Sequence, residues 1–509
     1  MSTPGKHISP RTVWWWAALS ASLAAGVVWS CARPGGCQIG SRVVTVTTET
    51  PGPSHIYYDE PSGFKTSCWD GPTGSFSSGN TYGLKLGHWM LRLDIIEDPI
   101  ETTRRRLSKT VPNLIAVLDS DTRLERMVAA EELGKLGASA ISALPVLIGR
   151  MDKNDYSTVD AVSKIAGAAG ASALPALMNG LKSSSAFVRE RLAELLPTLG
   201  EAFRPSVPGL RQCLNDDAPS VRIHVALALW RFTGDTNEPV PVLAALLSER
   251  DPQIAAGAAA ALGEMGLQAQ AAVPALTTAL RSNDWVIRAT AARALGLIGP
   301  AAASAAPELV ARLGQLQRSE HGQYLELPWI IDALGQLGSK ASAAVPRLAL
   351  LARGENPQVA ASSLKALGEM GPDAVPALLE ILQMNSSPAR RSYAANALGR
   401  IGPAALSAAP RLREWLGADV HSGMRASAAL ALWKMGERDD AIIQTLMDCL
   451  SDEAGGLRAV RALAEIGPPA KVAIPALETA RSDRTTSVRQ EINSALARIK
   501  APTAEGNAR

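Results

Sequence analysis

From about Ile95 onward, apolar residues fall three and four positions apart, in runs broken at regular intervals. Such spacing lays them along one face of an α-helix. In Pro274–Gly299 (PALTTALRSNDWVIRATAARALGLIG), Leu276 and Leu280 lie four apart, and Ser282-Asn283-Asp284 then interrupts with residues that favour turns and helix N-caps. A second helix is predicted after the break, with Val286, Ala289, Ala292, Leu295 and Ile298 on its apolar stripe. Gly299 suits the conformation that ends a helix, and Pro300 prevents its continuation.

This pair recurs. Prolines stand at 112, 145, 175, 208, 241, 274, 307, 346, 376, 410 and 475, with gaps of 33, 30, 33, 33, 33, 33, 39, 30, 34 and 65, the last being two periods with one proline missing near Ile443. Glycines keep the same beat in Leu262-Gly-Glu-Met-Gly266, Leu295-Gly-Leu-Ile-Gly299, Leu334-Gly-Gln-Leu-Gly338, Leu367-Gly-Glu-Met-Gly371 and Leu398-Gly-Arg-Ile-Gly402. A length of 509 residues would ordinarily suggest about three domains. The period predicts instead one all-α solenoid of about twelve helix pairs over residues 95–500, followed by a short tail at 501–509. One pair cannot bury its own stripe; stacked neighbours can. Alanine-dense second helices such as Ala255–Ala261 predict close helix approach.

Two further patterns accompany the period. Pro-x-Leu opens first helices at Pro274-Ala-Leu276, Pro376-Ala-Leu378 and Pro475-Ala-Leu477. An Asp in the turn is followed six residues later by Arg at Asp216–Arg222, Asp419–Arg425, Asp452–Arg458 and Asp483–Arg489. With these, the chain resembles the HEAT-repeat family, in particular the short HEAT-like repeats of the phycobilisome-lyase type. The resemblance implies a superhelix with a groove lined by second helices, and an Asp/Arg ladder linking successive repeats. Gly257 and Lys365 depart from it by replacing the Arg, and the unit around Gly322 lacks the turn Asp.

The first 94 residues follow other rules. Val13–Ser30 carries no charge and holds Trp14, Trp15, Trp16 and Trp29 at its ends, the composition of a segment that inserts in a bilayer. Residues 1–32 are therefore expected to be a membrane anchor, or a signal peptide cleaved after Ala32. Val28-Trp29-Ser30-Cys31 is similar to a bacterial lipobox, which would make Cys31 a lipidation site. Either route puts the repeats outside the cytoplasm. Residues 33–94 are rich in Gly, Pro and Ser, and only Arg42–Thr48 resembles a strand, so a low-order spacer is expected, with a Cys37–Cys68 disulfide as an alternative that would make it a small cap.

Composition narrows function by exclusion. Residues 1–110 hold 11 Lys+Arg and 8 Asp+Glu, and the remaining 399 hold 40 of each, so a general phosphate-backbone binder is not expected. Deoxyhypusine hydroxylases resemble HEAT arrays but carry His-Glu dipeptides as iron ligands. None of His7, His55, His88, His224, His321 and His421 is followed by Glu, and no metal or cofactor is expected. Cys213 and Cys449 read as inert thiols in apolar surroundings. No catalytic constellation is assembled.

What remains is a non-catalytic scaffold that binds a protein or peptide along its concave face. A lyase-type subunit holding a pigment or small ligand is the main alternative, and a nucleic-acid binder the next. Insertions in solenoids often mark the contact surface. The 39-residue unit thus offers Gln317–Trp329, with Glu320, His321, Tyr324 and Trp329 as candidate interaction residues. Trp230, Trp285 and Trp433 are expected mostly in the core.

Overall fold

The structure, a computed structural model, describes residues 37–39, 42–49, 73–78, 81–86 and 89–97 by their backbone. It also describes residues 99–152, 156–316, 325–384, 387–417, 419–452, 455–482 and 486–501. The segment 13–30, Cys31 and Cys68 lie outside these residues, so the anchor, the lipidation site and the disulfide do as well. Two compact units divide the chain, Met1–Gly180 and Leu181–Arg509.

The first unit begins with β-structure. Five strands, β1 (Cys37–Ile39), β2 (Arg42–Glu49), β3 (Thr73–Ser78), β4 (Thr81–Leu86) and β5 (Trp89–Glu97), form an antiparallel sheet in the order β1-β2-β5-β4-β3. The spacer expected over 33–94 is corrected accordingly, and Ile95, where the repeats were expected to begin, belongs to β5; helix starts at Pro99. The signals were there at period two. Ser78 pairs with Thr81 across the dipeptide Gly79-Asn80, the spacing of a two-residue hairpin. The helix Pro99–Arg106 follows, and Arg104 reaches Glu131 and Glu132 of helix Arg123–Leu136 at 2.8 and 2.9 Å. The basic last turn of this helix is thus partly paired.

The helices come in the predicted pairs, twelve among the described residues, including Asp440–Asp448 with Gly456–Ile466 at the unit whose proline is missing. First helices carry their proline at N1 or N2, as Pro274 does in Val273–Ala279, where no intrahelical hydrogen bond is lost. Several second helices are capped by turn residues: Asp284 accepts from Val286 N at 2.7 Å, and Asp251 from Gln253 N at 2.9 Å. Between pairs the chain forms short 3-10 segments that the period does not predict, such as Gly266–Ala272 and Gly299–Ala305. These two start at a positive-φ glycine (Gly299, φ 74°) and bury alanines three apart, such as Ala302 and Ala305.

Stacking within the second unit uses the first glycine of each Leu-Gly-x-x-Gly. A β-carbon on Gly263, Gly368 or Gly399 would lie 3.1, 2.9 or 2.8 Å from the Cα of Ala294, Ala397 or Ala431 in the next second helix. Hydrogen at that position is what lets the backbones approach. Three helical runs, Arg123–Gly149, Tyr156–Gly180 and Trp285–Leu316, are long and apolar enough to cross a membrane. Each joins a second helix to the following first helix through a 3-10 segment beginning at a positive-φ glycine, and their apolar faces are repeat core.

Candidate functional site

Two arginine rows in the second unit separate what holds the array together from what it presents. The inner row sits early in the second helices. Arg189 donates from Nη1 to the carbonyls of Ser183 and Ser184 at 2.7 and 3.2 Å, closing the turn of its own repeat. Its Nε and Nη2 grip both oxygens of Asp216 in the next repeat at 2.6 and 2.7 Å. Burial pushes the Asp216 carboxyl up, but the hydrogen bonds from Arg189 and from Ala218 N outweigh it and hold the group below the usual range. Arg189 thus links two successive repeats across a step of 27 residues. A 33-residue period minus the six-residue spacing gives that number.

Other rungs vary. Arg222 reaches Glu249 at 3.1 Å. Arg425 lies 3.6 Å from Asp448 rather than on Asp419, which is exposed, or Asp452, which accepts from Ser422 Oγ at 2.7 Å. Arg458 Nη1 donates to Ser427 Oγ at 3.5 Å. Asp483 lies outside the described residues; Arg489 is on the last second helix, Thr486–Lys500. The strongest rung was invisible in the sequence. Arg288, on helix Trp285–Ile298, holds both oxygens of Glu326 at 2.8 and 2.9 Å, and Arg312 Nη2 adds a third bond at 2.5 Å. Glu326 is 1% exposed. Burial raises its pKa, yet the bonds and charges of Arg288 and Arg312 overcome this and keep it ionised below the ordinary glutamate range. The unit lacking a turn Asp uses a Glu beyond its insertion instead.

The outer row lies on the solvent face of the second helices. Counting back from the closing glycine, positions 2, 6, 9 and 13 share that face at 3.6 residues per turn, except that Arg231 stands 3 before Gly234. At most steps it is laced by ion pairs between neighbouring repeats: Arg231–Glu264 at 2.5 Å, Lys365–Asp332 at 3.0 Å, Arg400–Glu369 at 3.1 Å and Lys434–Glu465 at 2.5 Å. Lys365 has its pKa raised by the hydrogen bond to Asp332 foremost.

One step differs. Between helix Trp285–Ile298 and helix Leu327–Gln336 the link is Arg293 over the ring of Trp329, 5.3 Å from its centroid. Leu297 (46% exposed), Leu325 (56%) and Trp329 (40%) stand open beside it. Next to this patch, Trp329, Ile331, Asp332, Ser362, Lys365 and Glu369 line most of a cleft of about 310 Å3.

Of the residues expected in the interaction loop, Trp329 is thus on the exposed face, while Glu320, His321 and Tyr324 lie outside the described residues. Trp285, expected in the core, is exposed; Trp230 and Trp433 are half-buried. Arg293, Leu297 and Asp332 went unnoticed, though counting back from the closing glycine would have singled them out. A second depression of about 360 Å3, lined by Asp419, His421, Arg425, Asp448 and Asp452 among others, sits at the turn edge. There His421 Nδ1 accepts from Gly423 N at 3.1 Å, as a helix cap. Burial pushes the thiols of Cys213 and Cys449 up, away from the reactive thiolate. Among the described residues no group of three His, Cys, Asp or Glu is placed to hold a metal ion.

No curated protein matches this chain in sequence. Solved structures similar to it include the karyopherin Kap121p bound to the extreme C-terminus of the protein phosphatase Cdc14p (14% identity over 79% of this chain and 50% of that one, TM-score 0.43). Importin beta is similar at 13% identity over 78% of this chain and 63% of that one, with a TM-score of 0.47. The CpcE–CpcF complex of phycocyanin lyase from Nostoc sp. PCC7120 is similar at 22% identity over 48% of this chain and 93% of that one, with a TM-score of 0.29. The chain spans about half the length of the first of these. The family model for HEAT repeats matches residues 240–320 and 344–433, which hold Arg288, Arg293, Leu297, Lys365 and Arg400 but not Arg189, Arg222, Leu325 or Trp329. Over those two segments the paired helices with their glycine-spaced stacking are HEAT repeats.

Proposed function

We propose that the chain is a non-catalytic scaffold that grips a protein or peptide along the solvent face of its second helices. The observation that carries this is the open patch at Arg293–Trp329, where Leu297 and Leu325 are also exposed, on a face that is charge-paired at several neighbouring steps. Exposed aromatic and arginine side chains are the residue types that anchor interfaces, and a patch rimmed by paired charges suits recognition better than it suits solubility. The inner arginines Arg189, Arg222 and Arg288 are committed to carboxylates, which leaves them unsuited to tracking phosphates. The uncharged segment 13–30 supports a scaffold tethered to, or exported across, a membrane, with its repeats outside the cytoplasm.

Crosslinking in intact cells followed by mass spectrometry tests this. Crosslinks from a protein partner to second-helix residues of 240–433, on the extracytoplasmic side, are the expected result. A purified chain that carries an absorbing chromophore, or turns over a small molecule, with no crosslinked partner would reject it.

A further inference from the structure

We propose that the partner segment presents a carboxylate beside an apolar side chain, with the carboxylate on Arg293 and the apolar group between Trp329 and the Leu297/Leu325 pair; this rests on the scaffold reading above. On the face that bears it, the neighbouring cations Arg231, Lys365, Arg400 and Lys434 each have a carboxylate within 3.1 Å. Arg293 is the exception: its partner among the described residues is a ring, not an acid. A guanidinium over an indole gains electrostatic attraction but uses none of its N–H donors, and its planar fork matches a carboxylate in two parallel bonds. Trp329 holds Arg293 from one side while presenting apolar surface itself, so charge and grease sit side by side. Leu297 and Arg293 are four apart on one helix, and Leu325 and Trp329 four apart on the adjacent element, so the four share one face across two repeats. A basic segment would meet a positive charge that no acid among the described residues compensates, and a purely apolar one would cover it without supplying an acid, which costs desolvation.

Panning a phage-displayed library of random linear peptides on the full chain tests this directly. An enriched peptide is then synthesised with its acidic residue kept, changed to the amide, or changed to Lys, and each form is measured by fluorescence anisotropy. The acid should bind about tenfold tighter than the amide, the worth of one charge-assisted bond. Arg293→Glu should reverse the ranking so that the Lys form binds best, Arg293→Lys should keep the acid preference, and Trp329→Ala should weaken all forms. Equal melting curves for the Arg293 variants would show that they fold. Enriched peptides lacking an acid, or a ranking untouched by Arg293→Glu, would overturn the assignment while leaving the scaffold standing. No enrichment over an empty support would overturn both.

Discussion

Arg288 and Arg293 lie five residues apart on the same helix and do opposite work. Arg288 is buried, bonded to two carbonyls of its own turn and to both oxygens of a carboxylate in the next repeat. Arg293 is exposed and rests on a tryptophan ring. The helix is the same, as is the residue type; what differs is direction. Facing the turn edge, an arginine can saturate every donor within the protein and becomes part of the frame. Facing the open side of the second helices, it keeps donors in reserve. The lesson for repeat arrays is that residue type says little until its place relative to the closing glycine is known.

The comparison can be broken most severely at its buried end. Glu326→Ala would leave Arg288 and Arg312 facing each other without an anion, and loss of one partner from a buried pair costs about 3–5 kcal/mol. The denaturant midpoint should fall strongly; a change within error would mean that the rung is not structural. A smaller effect is expected from the stacking contact. Gly368→Ala places a methyl carbon 2.9 Å from the Cα of Ala397, and overpacking of this kind costs about 1–3 kcal/mol, measurable as a lowered thermal midpoint.

Acidity sharpens the same end. The Glu326 carboxyl is held below its ordinary range in the fold, so its contribution is complete above that range and fades as pH falls through the folded value. Glu326→Gln should therefore flatten the acid limb of a stability-versus-pH curve while lowering stability at neutral pH. Smallest of all should be the effect of Arg293→Glu on folding, within about 0.5 kcal/mol as for other open surface positions, even as it reorders peptide preference. A large loss of stability there would make Arg293 part of the frame and erase the contrast.

Much of this was legible from the chain. Pro274, Asp284 and Gly299 each have one local job, and the period repeats it, so helix boundaries and pair number followed directly. The sheet escaped because the period-two alternation in Trp89–Glu97 is short and sits among Gly- and Ser-rich residues that read as linker. A ladder between successive repeats was expected from the resemblance, but not which residues join: Arg189 spends one edge on its own turn and turns the other forward to Asp216. Glu326 could not be found at all, since the insertion before it moves the acid off the beat. The open patch was half seen, through Trp329, because the loop drew attention while the helix face did not.

The forward rungs carry a consequence for how such a chain can change its length. Where an arginine grips the acid of whichever unit comes next, as Arg189 grips Asp216, a whole unit can be duplicated or lost and each charge still finds a counterpart at the new seam. The joint between Arg288 and Glu326 lacks that freedom, because its acid stands 38 residues on, past an insertion no other unit shares. Recombination between units should be tolerated on either side of that joint and not through it.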